Sequence, residues 1–507
     1  MKSSLKYILA ASIAFGSFSC SDFLEEEPQS FLSPSVVKTS SDADLMVAGI
    51  LSIYSGNNHY SRDYYLLSEI SSDHASTVSG SSSRIAIDHY NYDTNHSDIE
   101  DVWESGVRIV ANANYLIAGM KDGGNAMSED DKANYDATAR FFRAHTYFDL
   151  VRLFGGVALL REPVESAAQL EGLKRNSVQE VYDFITSELE AIEGQFTDSW
   201  NSSKRGTSFP TKWAVKALLS NVYLTQAGKP LEDASAWAKS ATKAKELLDE
   251  GGYGFIEGGY AELFKVENKT SNEHIWSILS HRTIHAVNCR FGGIGTQDGW
   301  GNFGVTEGVM DIFDDADPRK AATFMTEIWD VNSSGEQVKL VTMDEWSYQG
   351  VPMIAKFAAP ENTGVPAKNW KDDSRRKGNI LSGYRYGEML LVYAEAENEA
   401  NPGSSAALQA LNKVRDRVGM PAITATDQAG IREAIKMERT YEMAFEARRR
   451  FDLVRWGDFM TAMKKDPEAK DFVQSHHTLF PIPQREYDVL KDFEQNPGYP
   501  SDRSGSN

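Results

Sequence analysis

Met437-Glu-Arg-Thr-Tyr-Glu-Met-Ala-Phe-Glu-Ala-Arg-Arg-Arg-Phe-Asp-Leu-Val-Arg-Trp-Gly457 is the stretch on which the reading of this chain turns. Good helix formers run through it and Gly457 supplies a stop, so it is expected to be one helix reaching Trp456. Glu438, Tyr441, Phe445, Arg448, Asp452 and Arg455 recur every three or four residues and share one face. That face mixes aromatics with both charge signs, unlike a plain apolar stripe. Glu446 and Arg450, and Arg448 and Asp452, are four apart, the spacing of ion pairs along a helix. The expected role is therefore structural, a helix held by a network of charges.

The N-terminus carries a separate signal. Lys2 and Lys6 precede an apolar run from Tyr7 to Phe18, followed by Ser19 and Cys20. A basic start, an apolar segment too short to span a bilayer and a small residue before the cut describe a secretory leader. Because it ends on cysteine, residues 1–19 resemble a bacterial lipoprotein signal, which implies that the Cys20 thiol is acylated after cleavage. Two or more acyl chains make membrane attachment stable, at about 0.8 kcal/mol per buried methylene. Residues 20–34 read as an acidic linker, and Ser21-Asp-Phe-Leu-Glu-Glu-Glu27 resembles the surface-export signals of such lipoproteins. No later segment is apolar enough to cross a membrane.

Residues 35–507 are expected to form a single, all-α dominated domain built from helix pairs. The candidate pairs are 136–156 with 177–190, 211–228 with 234–250, and 384–400 with 405–418, followed by 429–456. Ser177 and Glu180 have the spacing of a capping box. Small residues at crossing points with a large aromatic one turn later resemble tetratricopeptide units, although loops break the period of about 34 residues. The implied scaffold is a degenerate stack of pairs sharing one core. About residues 251–383 interrupt it with a Gly-, Asn- and aromatic-rich insertion. Within it, His274–Leu279 and Val351–Ala355 could be brief strands. Residues 57–92 have the same irregular character, and long irregular loops on a rigid scaffold commonly carry function.

Composition narrows the partners. A formal charge of −21 argues against nucleic acid, which needs a basic footprint, and suits a strongly anionic ligand poorly. There are two cysteines, so acylation of Cys20 leaves Cys289 without an intrachain partner and excludes a disulfide framework.

Beyond the opening stretch, Arg143–Gly156, Tyr384–Ala396, Leu411–Arg417, Phe480–Arg485 and Gln495–Tyr499 follow in the order found in the SusD/RagB family. With the lipoprotein signal ahead of them, they identify the chain as resembling that family over most of its mature length. The resemblance implies a SusD-like fold in the outer membrane, lipid-anchored and facing the cell exterior. It implies a lid on a SusC-like TonB-dependent transporter that captures oligosaccharide for import, with no catalysis and no cofactor. Peptide cargo under the same kind of lid is the first alternative.

A surface glycoside hydrolase is the second, since a pair of carboxylates about 5–10 Å apart cannot be forbidden among so many acids. Motifs for chemistry point the other way. The sequence contains no His-Glu-x-x-His, no Gly-x-Ser-x-Gly, no P-loop and no dinucleotide fingerprint. His476-His477 reads as a pair in a loop. Asp311, Asp314, Asp315 and Asp317 lack the spacing of a calcium loop and read as a solvated turn, so no metal is expected. Phe291–Gly301 reads as a loop displaying Trp300 and Phe303.

Sugar sites use aromatic faces with charged and amide groups that hydrogen-bond hydroxyls. The resemblance implies that early loops and the central insertion supply them. Trp300 and Phe303 are therefore expected to face Asp73, His74, Arg84, Tyr90 and Tyr92 across one shallow site.

Overall fold

The computed structural model describes residues 36–77, 82–122, 126–279, 302–331, 337–342, 352–356 and 381–503. Cys20, Cys289 and Trp300 lie outside them. The protein is mostly helical. Its longer helices are α1 (Ser40–Tyr54), α2 (Ser97–Lys121), α3 (Glu129–Phe154), α4 (Val178–Ile192) and α5 (Lys212–Ala227). After them come α6 (Ala236–Glu250), α7 (Tyr386–Ala400), α8 (Ser405–Arg417), α9 (Gln428–Met443) and α10 (Arg449–Trp456). From α1 to α7 each helix packs on the next, and α7 then receives both α8 and α9. The stack is the expected paired scaffold.

Caps and apolar faces explain where these helices start and what they bury. Ser177 accepts the Glu180 N–H at 3.2 Å while the Glu180 carboxylate accepts the Ser177 N–H at 2.8 Å, the capping box expected for α4. Behind it Val181, Ile185, Leu189 and Ile192 are buried one turn apart, each contributing about 1.5–3 kcal/mol. Helix α2 was not among the expected pairs, yet Ile99, Val102, Trp103, Ile109, Val110, Leu116 and Ile117 bury along it at helical spacing. It approaches α3 at Gly106, where a β-carbon would sit 3.0 Å from the Leu150 side chain.

The opening stretch departs from expectation. It is two helices, because Phe445 and Ala447 take left-handed backbone (φ 63° and 58°) between α9 and α10. Such a conformation costs an L-residue about 1–2 kcal/mol. Glu69 offsets it from afar. Its two carboxylate oxygens accept the N–H groups of Phe445 at 3.1 Å and Ala447 at 2.8 Å. Gly457 ends α10 in the left-handed region as expected.

The charge network is real, but its partners are not the i,i+4 neighbours. Arg448 donates to Glu388 at 2.8 Å, and Asp452 pairs with Arg439 at 2.9 Å and Arg455 at 2.8 Å. Glu446 pairs with Arg385 at 2.8 Å and Lys356 at 2.9 Å. Arg450 donates to the His477 carbonyl at 2.5 Å.

Eight short strands complete the described fold: β1 (Ala75–Thr77), β2 (His274–Ile278), β3 (Phe303–Val305), β4 (Phe324–Met325), β5 (Glu327–Val331), β6 (Gln337–Thr342), β7 (Met353–Ile354) and β8 (Leu381–Arg385). They form a sheet ordered β1-β3-β7-β4 and two antiparallel pairs, β5-β6 and the sequence-distant β2-β8. Ala75 lies opposite Val305 and Thr77 opposite Phe303. The early irregular region and the central insertion therefore do meet, but as strands of one sheet.

Buried charges lock this insertion to the scaffold. Glu442 accepts from Arg385 at 2.6 Å, Arg319 at 3.0 Å and Arg417 at 3.2 Å. Burial would raise its carboxyl, but Arg385, Arg417 and Arg319 outweigh that and hold it down at about 2. Asp311, Asp314 and Asp315 are exposed, as expected of a solvated turn, but Asp317 is drawn into the same lock, buried and paired with Arg319 at 2.7 Å.

Candidate functional site

The polar face of α9 does not end in solvent. Glu433, Lys436, Met437 and Thr440 recur at helical spacing and form one wall of an open groove of about 470 Å³. Residues 306–309 with Ile312 form another wall, residues 458–467 contribute Asp458, Lys465 and Asp466, and α10 supplies Arg449, Leu453 and Trp456. Asp73 reaches the groove from the loop before β1. The volume falls within the usual range for small-molecule clefts, about 300–1,000 Å³.

The chemistry of the groove is mixed. Arg449 grips Asp73 through two hydrogen bonds of 2.7 Å and donates to the Thr440 hydroxyl at 3.1 Å. Burial would raise the Asp73 carboxyl, but the Arg449 hydrogen bonds and nearby positive charge keep it below the usual carboxylate range. Lys436 pairs with Asp458 at 2.7 Å and sits 5.2 Å from the centre of the half-buried Trp456 ring. The indole N–H of Trp456 is fixed by Glu395 at 2.8 Å. Met437, 40% exposed, and Ile312, 42% exposed, add apolar lips. Together these give a ring, apolar edges and hydrogen-bonding groups of both kinds, the means by which a protein holds a polyhydroxylated ligand with apolar C–H faces.

Of the described residues expected to bind ligand, Asp73 is the one brought to this groove. His74 is buried behind it, its ring 6.2 Å from Phe445, and burial followed by the Arg449 charge pulls its pKa down to about 3. Phe303 is 1% exposed in β3, beside Tyr65 at 6.2 Å. In that position it presents no face to solvent. Tyr90 is buried, donating to the Ser71 carbonyl at 2.7 Å, and its ring lies 5.3 Å from His477. Tyr92 packs 5.3 Å from Phe480. These tyrosines pin the early loop to the C-terminal segment. Arg84 lies on a short helix in the field of Arg62, Asp98 and Asp63, away from the groove. The described members of the expected constellation thus occupy several places, not one shallow site. The groove residues on α9 and α10 belong to the helices read as purely structural, and the polar periodicity from Glu433 to Thr440 was the available signal.

Two other clusters bear on metal binding. Asp63, Asp98 and Asp101 converge, but Arg62 already stands among them, 2.5 Å from Asp63 and 3.8 Å from Asp101. The rings of His476 and His477 are 4.1 Å apart, yet His477 Nδ1 accepts the Gln474 N–H at 3.0 Å and is taken up by a capping turn.

With this geometry in hand, comparison with known proteins places the chain. The family model described as "SusD family" matches residues 211–499, more than half of its length. This chain belongs to the SusD family. A second model, described as "Starch-binding associating with outer membrane", matches residues 22–224 of this SusD-family chain. SusD-like protein P25 of Formosa agariphila is 24% identical, over 96% of this chain and 98% of its own. A SusD homolog from Bacteroides thetaiotaomicron superposes with a TM-score of 0.77 at 23% identity, covering 92% of this chain and 98% of that one. A structure named as a laminarin binding SusD-like protein gives 0.71 at 22% identity, covering 91% and 100%. At these identities the structures establish the shared fold.

Proposed function

We propose that this chain is a cell-surface glycan-binding lipoprotein of the outer membrane. In this reading it captures oligosaccharides without cleaving them and delivers them to a SusC-like TonB-dependent transporter. Acyl chains on Cys20 hold it to the membrane. Among the described residues no helix is long and apolar enough to cross a membrane, in keeping with such an anchor. Membership of the SusD family, the outer membrane in the second family description and the laminarin-binding relative support the reading. The observation that carries it at the level of the site is the groove of about 470 Å³, where Trp456, Met437 and Ile312 stand among Asp73, Glu433, Lys436 and Thr440. Trp300, from the central insertion, is proposed as a further aromatic platform.

The test is calorimetry of the purified full chain against a panel of polysaccharides that includes laminarin, with product analysis of each mixture. Binding without released sugar is expected. Trp456→Ala and Trp300→Ala should each weaken binding by about 1–3 kcal/mol, as when an aromatic anchor is lost, while the unfolding temperature stays near that of the wild type. Release of new reducing ends would replace this reading by a hydrolase, and binding unchanged in both variants would move the site elsewhere.

A further inference from the structure

Helix α10 divides two spaces. Leu453 and Trp456 face the ligand groove, whereas Phe451, Val454 and Arg455, on the opposite side of the same helix, line a second pocket of about 480 Å³. The two share no residue. The end of α3, the start of α4, the turn after α5 and the segment from Ser475 to Leu479 close the second pocket. Its walls are mainly apolar, built from Val151, Val178, Val454, Phe459, Met460 and Leu479. The exposed residues Lys229, Glu232 and Ser475 mark its mouth. Its volume lies within the range of small-molecule sites, about 300–1,000 Å³.

Two hydrogen-bond donors stand among these apolar walls. Tyr182 is 2% exposed and lines the pocket. Its carbonyl accepts from Thr186 at 3.0 Å, but its hydroxyl has no hydrogen-bond partner among the described residues. The Arg152 guanidinium packs 3.8 Å from the centre of the Phe148 ring and 4.0 Å from that of Phe451. It uses Nε on the Phe148 carbonyl and Nη2 on Asp149 and Tyr64, which leaves Nη1 without a partner among the described residues. Burial raises the Tyr182 phenol and the Arg152 charge opposes that rise, so the two donors share one field. Asp149 already balances the charge of Arg152, and a neutral acceptor is enough for both donors. Water suits the space poorly, because apolar cavities stay dry. A sugar chain suits it no better, since each ring brings several hydroxyls that these walls would leave unpaired.

We propose that this pocket binds a small apolar molecule carrying one hydrogen-bond acceptor, such as the carbonyl of a ketone or an ester. The oxygen is received by Tyr182 and Arg152, and the hydrocarbon body packs on Val454, Phe459 and Met460. With no residue in common with the groove, the site stands or falls apart from glycan capture.

The test is calorimetric titration of the full chain with benzylacetone and with butylbenzene, which differ only in a carbonyl for a methylene. Benzylacetone should bind saturably, and more tightly than butylbenzene by about two- to tenfold, the worth of one hydrogen bond. Tyr182→Phe keeps the ring but removes the hydroxyl, and should erase most of that preference while leaving butylbenzene unchanged. Val454→Trp fills the pocket from α10 and should abolish binding of both. Should that variant fail to fold, wild-type crystals soaked in benzylacetone decide the matter, with the ketone expected beside Tyr182. No saturable binding of benzylacetone, undiminished binding in Val454→Trp, or a ketone absent from the pocket overturns the site. Equal affinity of the wild type for the two compounds overturns the acceptor end.

Discussion

Arg385 is fully buried and donates to Glu442 at 2.6 Å and to Glu446 at 2.8 Å, holding the corner after α9 to strand β8. Replacing it by methionine keeps the bulk but removes the shared cation, leaving two buried carboxylates on Arg319, Arg417 and Lys356 alone. Breaking a buried pair from one side costs about 3–5 kcal/mol. Arg385→Met should therefore lose stability of that order in urea unfolding at neutral pH, and a loss below about 1 kcal/mol would show that the remaining cations suffice. Glu442 adds a pH signature. Its folded pKa is held at about 2, below the 4.5 usual for a glutamate, so its contribution is full above pH 4.5 and is lost as pH falls towards 2. That these residues form a charge network was legible in their types. Their partners were not, because Arg319, Arg385 and Glu388 are brought in from other elements, and spacing within one helix carries no information about residues 50 or more positions away.

At the scale of elements, helix periodicity located most of the stack, and the capping residues located its starts. It failed at Phe445 and Ala447, since every residue from Met437 to Trp456 is compatible with a helix and the break is imposed by Glu69 from another part of the chain. Burial, opposed by those two backbone N–H groups and by Lys356, pushes the Glu69 carboxyl up to about 8. A folded pKa raised above the unfolded value means that the folded state holds a proton which the unfolded state has released. The Glu69 contribution is thus full below about pH 4.5 and fades as pH rises through 8. Glu69→Gln removes this titration while keeping one amide acceptor for the corner. Measured from pH 5 to 8, wild type should lose on the order of 1 kcal/mol per pH unit relative to the variant. Parallel stability curves for the two proteins would mean that Glu69 is ionised throughout.

For the molecule as a whole, the helix stack and the family were readable because both are written in contiguous strings, while the groove is assembled from Asp73, residues 306–312, two helices and residues 458–467. No single string of the sequence contains it, and the aromatic-rich loops that drew attention turned inward, as Phe303 and Tyr90 show. The same separation between body and periphery governs the proposed anchor. Helix α1 begins at Ser40 with its own capping box, in which Thr39 accepts the Asp42 N–H at 3.3 Å and Asp42 accepts the Thr39 N–H at 2.9 Å. From there the helix buries Ala43, Val47, Ile50 and Tyr54 in the core. Loss of the thiol should therefore separate attachment from folding. One acyl chain alone holds a protein only marginally, so removal of the acylated cysteine should release it altogether. Cys20→Ala is expected to leave the membrane fraction, to carry no acyl label, and to unfold within about 1 °C of the wild-type body, a ΔΔG near zero. Continued fractionation with membranes, with acyl label retained, would mean that attachment runs through another residue.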